Sequence, residues 1–369
     1  MFTKLKELIQ RAGGRGHEPV VPPPVYYRQP ISIQTRLTKL ELQVDILFEP
    51  PHSAWTLSLL RNSQVASLTI SHSPNRDIFH KSLFPLAFDS IGATLRDLKL
   101  DILYPASLTA LVESLHLLPS LETLVLGLAS CDESPPAPPE NPTYLHLANL
   151  ISFTGSVEQA AYLFGHTTSC EKLACINLII DLYYEPPKNL YPGMAERFTV
   201  LNSTLSRLGI NPTLALCIST EGQPPGVPIF FPLTDQSHYS TAFSRVSSLT
   251  LDVPIANPEN VELWVHQEVL DWLVTFRAVN ALTVILRKNS PISRPQNGII
   301  NEECQARLIS GIVSAHPNVV CNIIDLPPNQ HHFHWSNARD EFSRAVAYGL
   351  PPIMSHRQRL VASCVCDHF

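Results

Sequence analysis

Apolar residues recur along this chain in a six-residue phrase that is followed by a longer run with a different period. One copy consists of Leu95, Leu98 and Leu100, with polar residues between them. This alternation predicts a short strand that places Leu98 and Leu100 on one face, with Leu95 turning toward the same interior. The apolar positions from Ser107 to Leu118 instead follow the spacing of one helix face, and Pro119 ends that helix.

The phrase returns at Leu121, Leu124 and Leu126, so that Leu121 lies 26 residues after Leu95. A strand followed by an amphipathic helix at such a period is typical of a leucine-rich repeat. A strand and a helix that face each other cannot bury their apolar sides alone, so neighbouring units must share one core. The pattern therefore predicts an α/β fold, a leucine-rich-repeat solenoid with a curved parallel sheet and outer helices.

Copies of the phrase recur along most of the chain at irregular intervals. They begin at Leu37, Val65, Leu95, Leu121, Leu147, Leu173, Val246 and Val279. The interval is 26 residues for the three steps from 95 to 173, and 28, 30 or 33 residues for the steps 37 to 65, 65 to 95 and 246 to 279. Further strands are predicted at 214–218 and 319–324, and we expect about nine strands in one sheet. The repeat lengths are therefore irregular.

The phrases divide the chain into three parts. Residues 1–36 form an N-terminal extension with a proline- and glycine-rich linker, and residues 37–326 form the predicted solenoid. Residues 327–369 are expected to form a C-terminal cap or tail, because the end of a solenoid would otherwise expose its core. Within the solenoid, the segment from Ser130 to Pro142 is rich in Asp, Glu, Ser and Pro and predicts an exposed loop.

The amphipathic runs between the phrases predict helices, and several helix starts are marked by polar residues. Ser156 and Gln159 have the spacing of a capping box. Asn257 marks the start of a helix that runs to about Phe276, and Asn301 caps the last helix. Further helices are predicted over 54–60, 107–118 and 193–208.

Composition and charge exclude several classes of partner. The formal net charge is −6 and no long run of Lys or Arg appears, which disfavours a nucleic-acid partner. No apolar run reaches the ~18 residues that span a bilayer, and residues 1–15 lack the continuous apolar core of a secretory signal. The eight cysteines lie scattered through the chain, mostly in apolar phrases. We therefore expect a cytoplasmic or nuclear protein with no membrane partner.

Two groups of possible metal ligands stand near the end of the chain, but neither has the spacing of a zinc site. These groups are His331, His332 and His334, and Cys364, Cys366 and His368. Structural zinc sites use pairs separated by two to five residues, so we expect no metal. The chain also lacks the serine nucleophile elbow, the phosphate-binding loop and the His-Glu-x-x-His helix. We expect no cofactor and no catalysis, and keep an enzyme or a metal-binding protein as lesser alternatives.

The strand positions that point away from the leucines are the remaining candidate surface. In the predicted register this row carries Glu41, Gln43, Ser67, Thr69, Asp97, Lys99, Thr123, Val125, Asn177, Thr250 and Thr283. The row is neither strongly charged nor aromatic, which favours a protein partner and offers little to a phosphate backbone. We predict that a protein partner binds this row between Leu95 and Leu178, where the 26-residue spacing is regular. A merely solvated row is the alternative.

Three stretches invite comparison with a known family. The segments from Leu37 to Asp45, Trp55 to Ile70 and Leu150 to Ser156 resemble the leucine-rich-repeat region of fungal F-box proteins, especially those of mushroom-forming (basidiomycete) fungi. The resemblance covers residues 37–326. It implies an interaction scaffold similar to the substrate-recognition repeats of a ubiquitin-ligase receptor, with a concave surface that holds a protein.

The F-box that would dock such a receptor on its Skp-type adaptor has no counterpart in residues 1–36. That module needs a Leu-Pro start and a Trp-containing end, and this segment contains neither. We therefore expect no direct binding to the adaptor. A structural relic, or a truncated receptor with no independent activity, is the alternative function.

Overall fold

A parallel sheet of ten strands dominates the residues that the structure describes. The computed structural model describes residues 38–42, 53–70, 79–103, 105–128, 145–181, 190–219, 241–255, 269–270, 273–288 and 302–326. All of them belong to the unit formed by residues 35–369. No helix in these ranges is long and apolar enough to cross a membrane.

The strands of the large sheet lie in chain order, and each pairs in parallel with the next. They are β1 (Lys39–Leu42), β2 (Ser67–Ile70), β3 (Asp97–Leu103), β4 (Thr123–Leu128), β6 (Ser152–Gly155), β8 (Cys175–Asp181), β9 (Thr213–Ser219), β10 (Val246–Ile255), β11 (Ala281–Lys288) and β12 (Val320–Leu326). Two further strands, β5 (Leu145–His146) and β7 (Thr167–Ser169), form a small parallel sheet of their own. The sequence-predicted α/β class with a large parallel sheet is confirmed.

Helices occupy the connections between these strands. The described helices are α1 (Ser53–Arg61), α2 (Phe79–Ile91), α3 (Pro105–Ser114), α4 (Val157–Gly165), α5 (Leu190–Arg207) and α6 (Glu302–Ala315). A 3₁₀ turn, Leu115–Leu117, extends α3 to the end that the apolar pattern predicts. Residues 269–270 and 273–275 are also helical, whereas the predicted start of that helix at Asn257 lies outside the described residues.

Backbone hydrogen bonds link successive units at the start of each strand. The carbonyl of Thr38 accepts the N–H groups of Ala66 and Ser67, at 2.8 and 3.0 Å. The carbonyls of residues 66, 96, 122 and 151 each accept the two equivalent N–H groups of the next unit. The carbonyl of Ala174 accepts only one, from Thr213, because residue 212 is a proline and has no N–H. The repeated bond pattern shows that successive strands begin at equivalent positions.

One hydrophobic core joins the helices to one face of the sheet. The alternate strand residues that the sequence assigns to the interior are buried in it, as is Leu95 just before β3. These strand residues include Leu68, Leu98, Leu100, Leu124, Leu126, Phe153, Ile176, Leu178, Leu214, Leu216, Leu249, Leu251, Leu282 and Val284. Phe84, Phe88, Phe164 and Phe198 bring the largest helix side chains into the same core.

The ends of two helices follow directly from their sequence. Ser156 and Gln159 form the predicted capping box: the Gln159 N–H donates to Ser156 Oγ at 3.1 Å, and the Ser156 N–H donates to Gln159 Oε1 at 2.8 Å. Helix α5 ends before Gly209, whose φ of 68° lies in the left-handed region that glycine adopts without strain.

The predicted register around Leu147 is wrong by three residues. The structure pairs Leu124 with Phe153 and Phe153 with Ile176, so Leu150 rather than Leu147 corresponds to Leu121. The intervals are therefore 29 residues from 121 to 150 and 23 residues from 150 to 173, not 26 and 26. Apolar residues stand at 147, 150 and 153. Either Leu147 or Leu150 can therefore be taken as the first residue of the phrase, and the apolar spacing alone does not distinguish these two registers.

Two further features of the fold were not anticipated. Helix α2 lies in a stretch for which the sequence analysis predicted no helix, and it contains Pro85 in its interior. Gly155 stands at a position where the neighbouring strands carry a buried leucine. A Cβ built there would lie 2.7 Å from Gln159 Oε1 and 2.8 Å from Phe153 Cζ, because these two side chains already fill that space.

Candidate functional site

The sequence-predicted partner row lies on the sheet face opposite the leucine rows, which we call the polar face. It is built from alternate strand residues that the register places side by side. One row runs Lys39, Ser67, Asp97, Thr123, Ser152, Cys175, and the next runs Glu41, Thr69, Lys99, Val125, Thr154, Asn177, Ala215. Cys217, Thr250, Thr283 and Asn322 form a third row on the longer strands.

The polar face is open to solvent over the first four strands. Glu41 and Asp97 are exposed, and Lys99, Thr123 and Val125 are half-buried, as expected for residues that point away from a core. Thr69 and Ser67 on β2 are also half-buried. We call this part, formed by β1 to β4, the open face. Gln43, the remaining early member of the predicted row, lies outside the described residues.

Several residues of the polar face on β6, β8, β10 and β11 are buried, contrary to the sequence prediction of a solvent-facing row. The exposed fractions of Asn177, Thr250 and Thr283 are 4%, 4% and 7%, and that of the neighbouring Thr154 is 2%. Burial of Ile179 supports this correction, because that side chain is buried without belonging to the core shared with the helices. We call these buried positions the covered part of the polar face; Cys217 on the intervening β9 is half-buried.

Charges of both signs alternate on the open face. Lys39 and Glu41 stand two residues apart on β1, and Asp97 and Lys99 do so on β3. At the entry to β3 and β4, Arg96 Nη1 lies 3.3 Å from Glu122 Oε1, with side chains 63% and 38% exposed. An exposed ion pair of this kind contributes about 0–1 kcal/mol to stability. The open face therefore carries no strong net potential and is poorly suited to a phosphate backbone.

The covered part of the polar face holds cross-strand hydrogen bonds between β6 and β8. Asn177 Nδ2 donates to Thr154 Oγ1 at 3.2 Å, and Cys175 Sγ donates to Ser152 Oγ at 3.2 Å. Burial raises the pKa of the Cys175 thiol, and the hydrogen bond to Ser152 offsets part of that rise. A buried thiol that keeps its proton is a weak nucleophile.

The other described cysteines with a shifted pKa are also protonated at neutral pH. Burial raises the pKa of Cys170 and of Cys321 to about 12. Among the residues that the structure describes, no positive charge lowers the pKa of either thiol. These two thiols therefore act as small apolar groups rather than as nucleophiles or metal ligands.

A serine and a histidine are in contact on the small sheet. His146 Nδ1 lies 3.0 Å from Ser169 Oγ and 3.3 Å from Thr168 Oγ1. His146 and Ser169 are register partners in the β5–β7 ladder, and within the described part of the chain no carboxylate contacts the imidazole. A nucleophilic triad needs a third group that orients the histidine. The contact is a cross-strand pair that joins the two short strands.

The described ranges contain no group of three or more His, Cys, Asp or Glu side chains that could hold a metal ion. The two groups that the sequence analysis weighed as metal ligands, at 331–334 and 364–368, lie outside those ranges. The loop from Ser130 to Pro142 and the predicted segments 1–36 and 327–369 also lie outside them.

The division of the polar face into an open and a covered part has a signal in the sequence. The outward positions of β1 and β3 carry Lys39, Glu41, Asp97 and Lys99, whereas the members of the same two rows from β6 onward are uncharged, as at Thr154. Farther along the longer strands the buried Asp252 is an exception. A charged side chain is rarely fully buried unless it is paired, whereas threonine and asparagine are buried more easily. The loss of lysine and glutamate along the row therefore marks where the cover begins.

Comparison of the sequence with protein-family models and with curated proteins found no match.

Proposed function

We propose that the chain is a non-catalytic scaffold for protein–protein interaction, built as a leucine-rich-repeat solenoid with irregular unit lengths. The sequential order of ten parallel strands and the hydrogen bonds at equivalent positions support this architecture. In this proposal the scaffold is similar in role to the substrate-recognition repeats of F-box receptors, and it uses no cofactor.

The observation that carries the proposal is the contrast between the open and the covered parts of the polar face. Asn177, Thr250 and Thr283 in the covered part are buried. Solvent reaches Glu41 on β1 and Asp97 and Lys99 on β3. Four strands at ~4.8 Å spacing span roughly 15 Å, which accommodates one segment of a partner protein. A mixed-charge surface provides specific pairing for such a segment rather than general attraction to a polyanion.

The open face also contains an apolar position that a protein partner can use. Val125 is half-buried between Lys99 on β3 and Thr154 on β6, so part of its side chain remains in contact with water. Removing that apolar surface from water contributes favourably to association, at about 25 cal/mol per Å². Charged groups around an apolar centre are the arrangement of small protein interfaces.

A comparative capture experiment with site-specific crosslinking tests the proposal. A photoreactive amino acid replaces Thr123 on the open face, and in a matched protein it replaces Glu113, which is exposed on α3. Both full-length proteins are irradiated in an extract of the source cells, and the adducts are identified by mass spectrometry. We expect a saturable protein adduct from position 123 and none of the same identity from position 113.

Alanine variants then separate the surface from the fold. The open-face variant Asp97→Ala, Lys99→Ala, Thr123→Ala is compared with the control Arg61→Ala, Glu113→Ala, Thr199→Ala, which removes the same kinds of side chain from helix surfaces. We expect at least a tenfold loss of affinity in the first variant only, at an unchanged melting temperature, since exposed positions contribute little to stability. Equal capture by the two variants, or adducts from position 113 alone, would refute the proposed site.

A further inference from the structure

The four segments that lead into β8, β9, β10 and β11 each carry one positive charge. These segments are residues 170–174, 207–212, 241–245 and 276–280, and the four strands are neighbours in the sheet. We call their lysine and arginines the basic edge, which consists of Lys172, Arg207, Arg245 and Arg277. All of these side chains are exposed except Arg245, which is half-buried. Glu171 is the single carboxylate in the four segments, so positive charge exceeds negative charge by three.

Hydrogen bonds to neutral groups hold three of these cations against the preceding part of the fold. Lys172 Nζ donates to Asn149 Oδ1 at 2.7 Å, and Arg245 Nη2 donates to Ser206 Oγ at 2.9 Å. Arg207 donates to main-chain carbonyls at the end of α4, the nearest at 2.8 Å. Amide, hydroxyl and carbonyl oxygens carry no net charge, so these bonds position the cations without neutralising them.

An earlier position on the same edge of the sheet shows the contrast. Arg96, directly before β3, has its Nη1 3.3 Å from Glu122 Oε1, directly before β4. Among the residues that the structure describes, no carboxylate forms such an ion pair with any cation of the basic edge. The charge before β3 is therefore balanced within the chain, whereas the charge before β8 to β11 is left for a partner.

The spacing of the basic edge suits an extended acidic peptide. Neighbouring strands lie ~4.8 Å apart, so four successive segments distribute the cations over roughly 15 Å. An extended peptide advances ~3.3 Å per residue and turns alternate side chains to one face, so about five residues cover that distance. Acidic side chains at alternate positions of such a peptide can all face the basic edge, and lysine and arginine form charge-assisted hydrogen bonds with carboxylates.

A single-stranded nucleic acid also presents regularly spaced negative charges, but the protein offers it little else. Proteins that bind single strands stack the bases on exposed aromatic side chains. Of the exposed large apolar side chains in the described ranges only Trp55 is aromatic, and it lies on α1 rather than on the basic edge. The formal net charge of −6 also opposes the approach of a long polyanion. A short acidic protein segment therefore fits the basic edge better.

We propose that the basic edge binds an extended acidic segment of a partner protein. The carboxylates of the segment accept hydrogen bonds from Lys172, Arg245 and Arg277, and Arg207 adds positive charge while it stays bonded to α4. This surface is separate from the open face, so the inference goes beyond the proposed scaffold site and does not depend on it. Exposed ion pairs are individually weak and screened by salt, so we expect a dissociation constant on the order of 100 μM at low ionic strength.

The test measures fluorescence anisotropy of a dye-labelled peptide of about seven residues, with glutamate at alternate positions, on titration with the full-length protein. We expect saturable binding at about 20 mM salt that weakens at least about fivefold at about 200 mM salt. The same peptide with glutamine in place of glutamate should not bind, and an oligothymidylate of equal length should bind more weakly. Absence of saturable binding up to roughly 1 mM, or tighter binding of the oligothymidylate, would overturn the proposal.

Matched charge variants locate the binding surface. The edge variant is Lys172→Gln, Arg245→Gln, Arg277→Gln, and the control is Lys39→Gln, Arg61→Gln, Arg307→Gln, which removes the same charge from exposed side chains elsewhere. Arg207 is left intact because it caps α4. We expect at least about fivefold weaker peptide binding in the edge variant and less than about twofold in the control. Lys172→Gln with Arg277→Gln, at two exposed positions, decides if the edge variant does not fold, with a loss of at least about threefold. Equal losses in the edge and control variants would overturn the assignment.

Discussion

Arg207, at the end of α5, hydrogen-bonds to the end of the preceding helix through the carbonyl of Phe164. Its Nη2 donates to that carbonyl at 2.8 Å and to the Gly165 carbonyl at 3.3 Å, and both Nη atoms lie 3.3 Å from the Thr167 carbonyl. The last carbonyls of a helix have no partner within the helix and carry a partial negative charge. One guanidinium therefore caps α4 and ties it to α5.

Arg207→Ala should lower the free energy of unfolding by about 1 kcal/mol, since several charge-assisted hydrogen bonds are lost from a partly exposed site. Urea denaturation measures the change. Arg61→Ala, which removes an exposed arginine at the end of α1, is the control and should change stability by less than about 0.5 kcal/mol. An effect of Arg207→Ala no larger than that of the control would show that the cap contributes nothing.

Leu124→Asp and Val125→Asp should differ sharply although they are adjacent on β4. Leu124 is 0% exposed in the shared core, whereas Val125 is half-buried on the open face. The aspartate at 124 would be a buried charge without a partner, so that variant should not fold, and Leu98→Asp should behave likewise. Val125→Asp should remain folded by circular dichroism. Similar melting temperatures for the two β4 variants would show that the assignment of Leu124 to the core and of Val125 to the open face is wrong.

Gly155→Ala should destabilise the protein by about 1–3 kcal/mol, because the added methyl meets the Phe153 ring and the Gln159 amide in a filled core. Gly193→Ala is the matched control: a Cβ built there meets nothing within 4 Å, and the residue lies in α5. The control should stabilise the protein by about 0.5–1 kcal/mol, since alanine favours a helix. Thermal unfolding of both variants measures these changes in stability. A higher melting temperature for Gly155→Ala than for the wild type would contradict the packing around Gly155.

Cys170 should make stability depend on pH in the alkaline range. Burial raises the pKa of its thiol from 9.0 to about 12 in the folded state. The unfolded chain loses this proton first, so the unfolded state binds fewer protons between pH 9 and 12 and stability falls as pH rises. The contribution is fully present below pH 9 and decreases by up to about 1.4 kcal/mol per pH unit above it.

The measurement for Cys170 is the free energy of unfolding in urea at pH 8, 9.5 and 10.5, for the wild type and for Cys170→Ala. The difference between the two proteins should shift in favour of the variant as pH rises, because alanine does not titrate. Parallel pH curves would show that the thiol ionises as easily in the folded state as in the unfolded state.

Local periodicity determined which strand residues enter the core and where one helix begins. Leu98, Leu100 and Leu124 were assignable because alternate side chains of a strand necessarily point to opposite faces. The Ser156–Gln159 capping box was assignable because both of its partners lie within one helical turn. These features need no knowledge of distant residues.

Tertiary structure decided the register and the burial of part of the polar face. Leu147 and Leu150 both fit the apolar spacing, and only pairing with the neighbouring strands selects Leu150. The burial of Asn177 does not follow from strand alternation, because Glu41 in the same row is exposed. Local sequence decides the facing of a residue, whereas contacts between distant segments decide whether water reaches it.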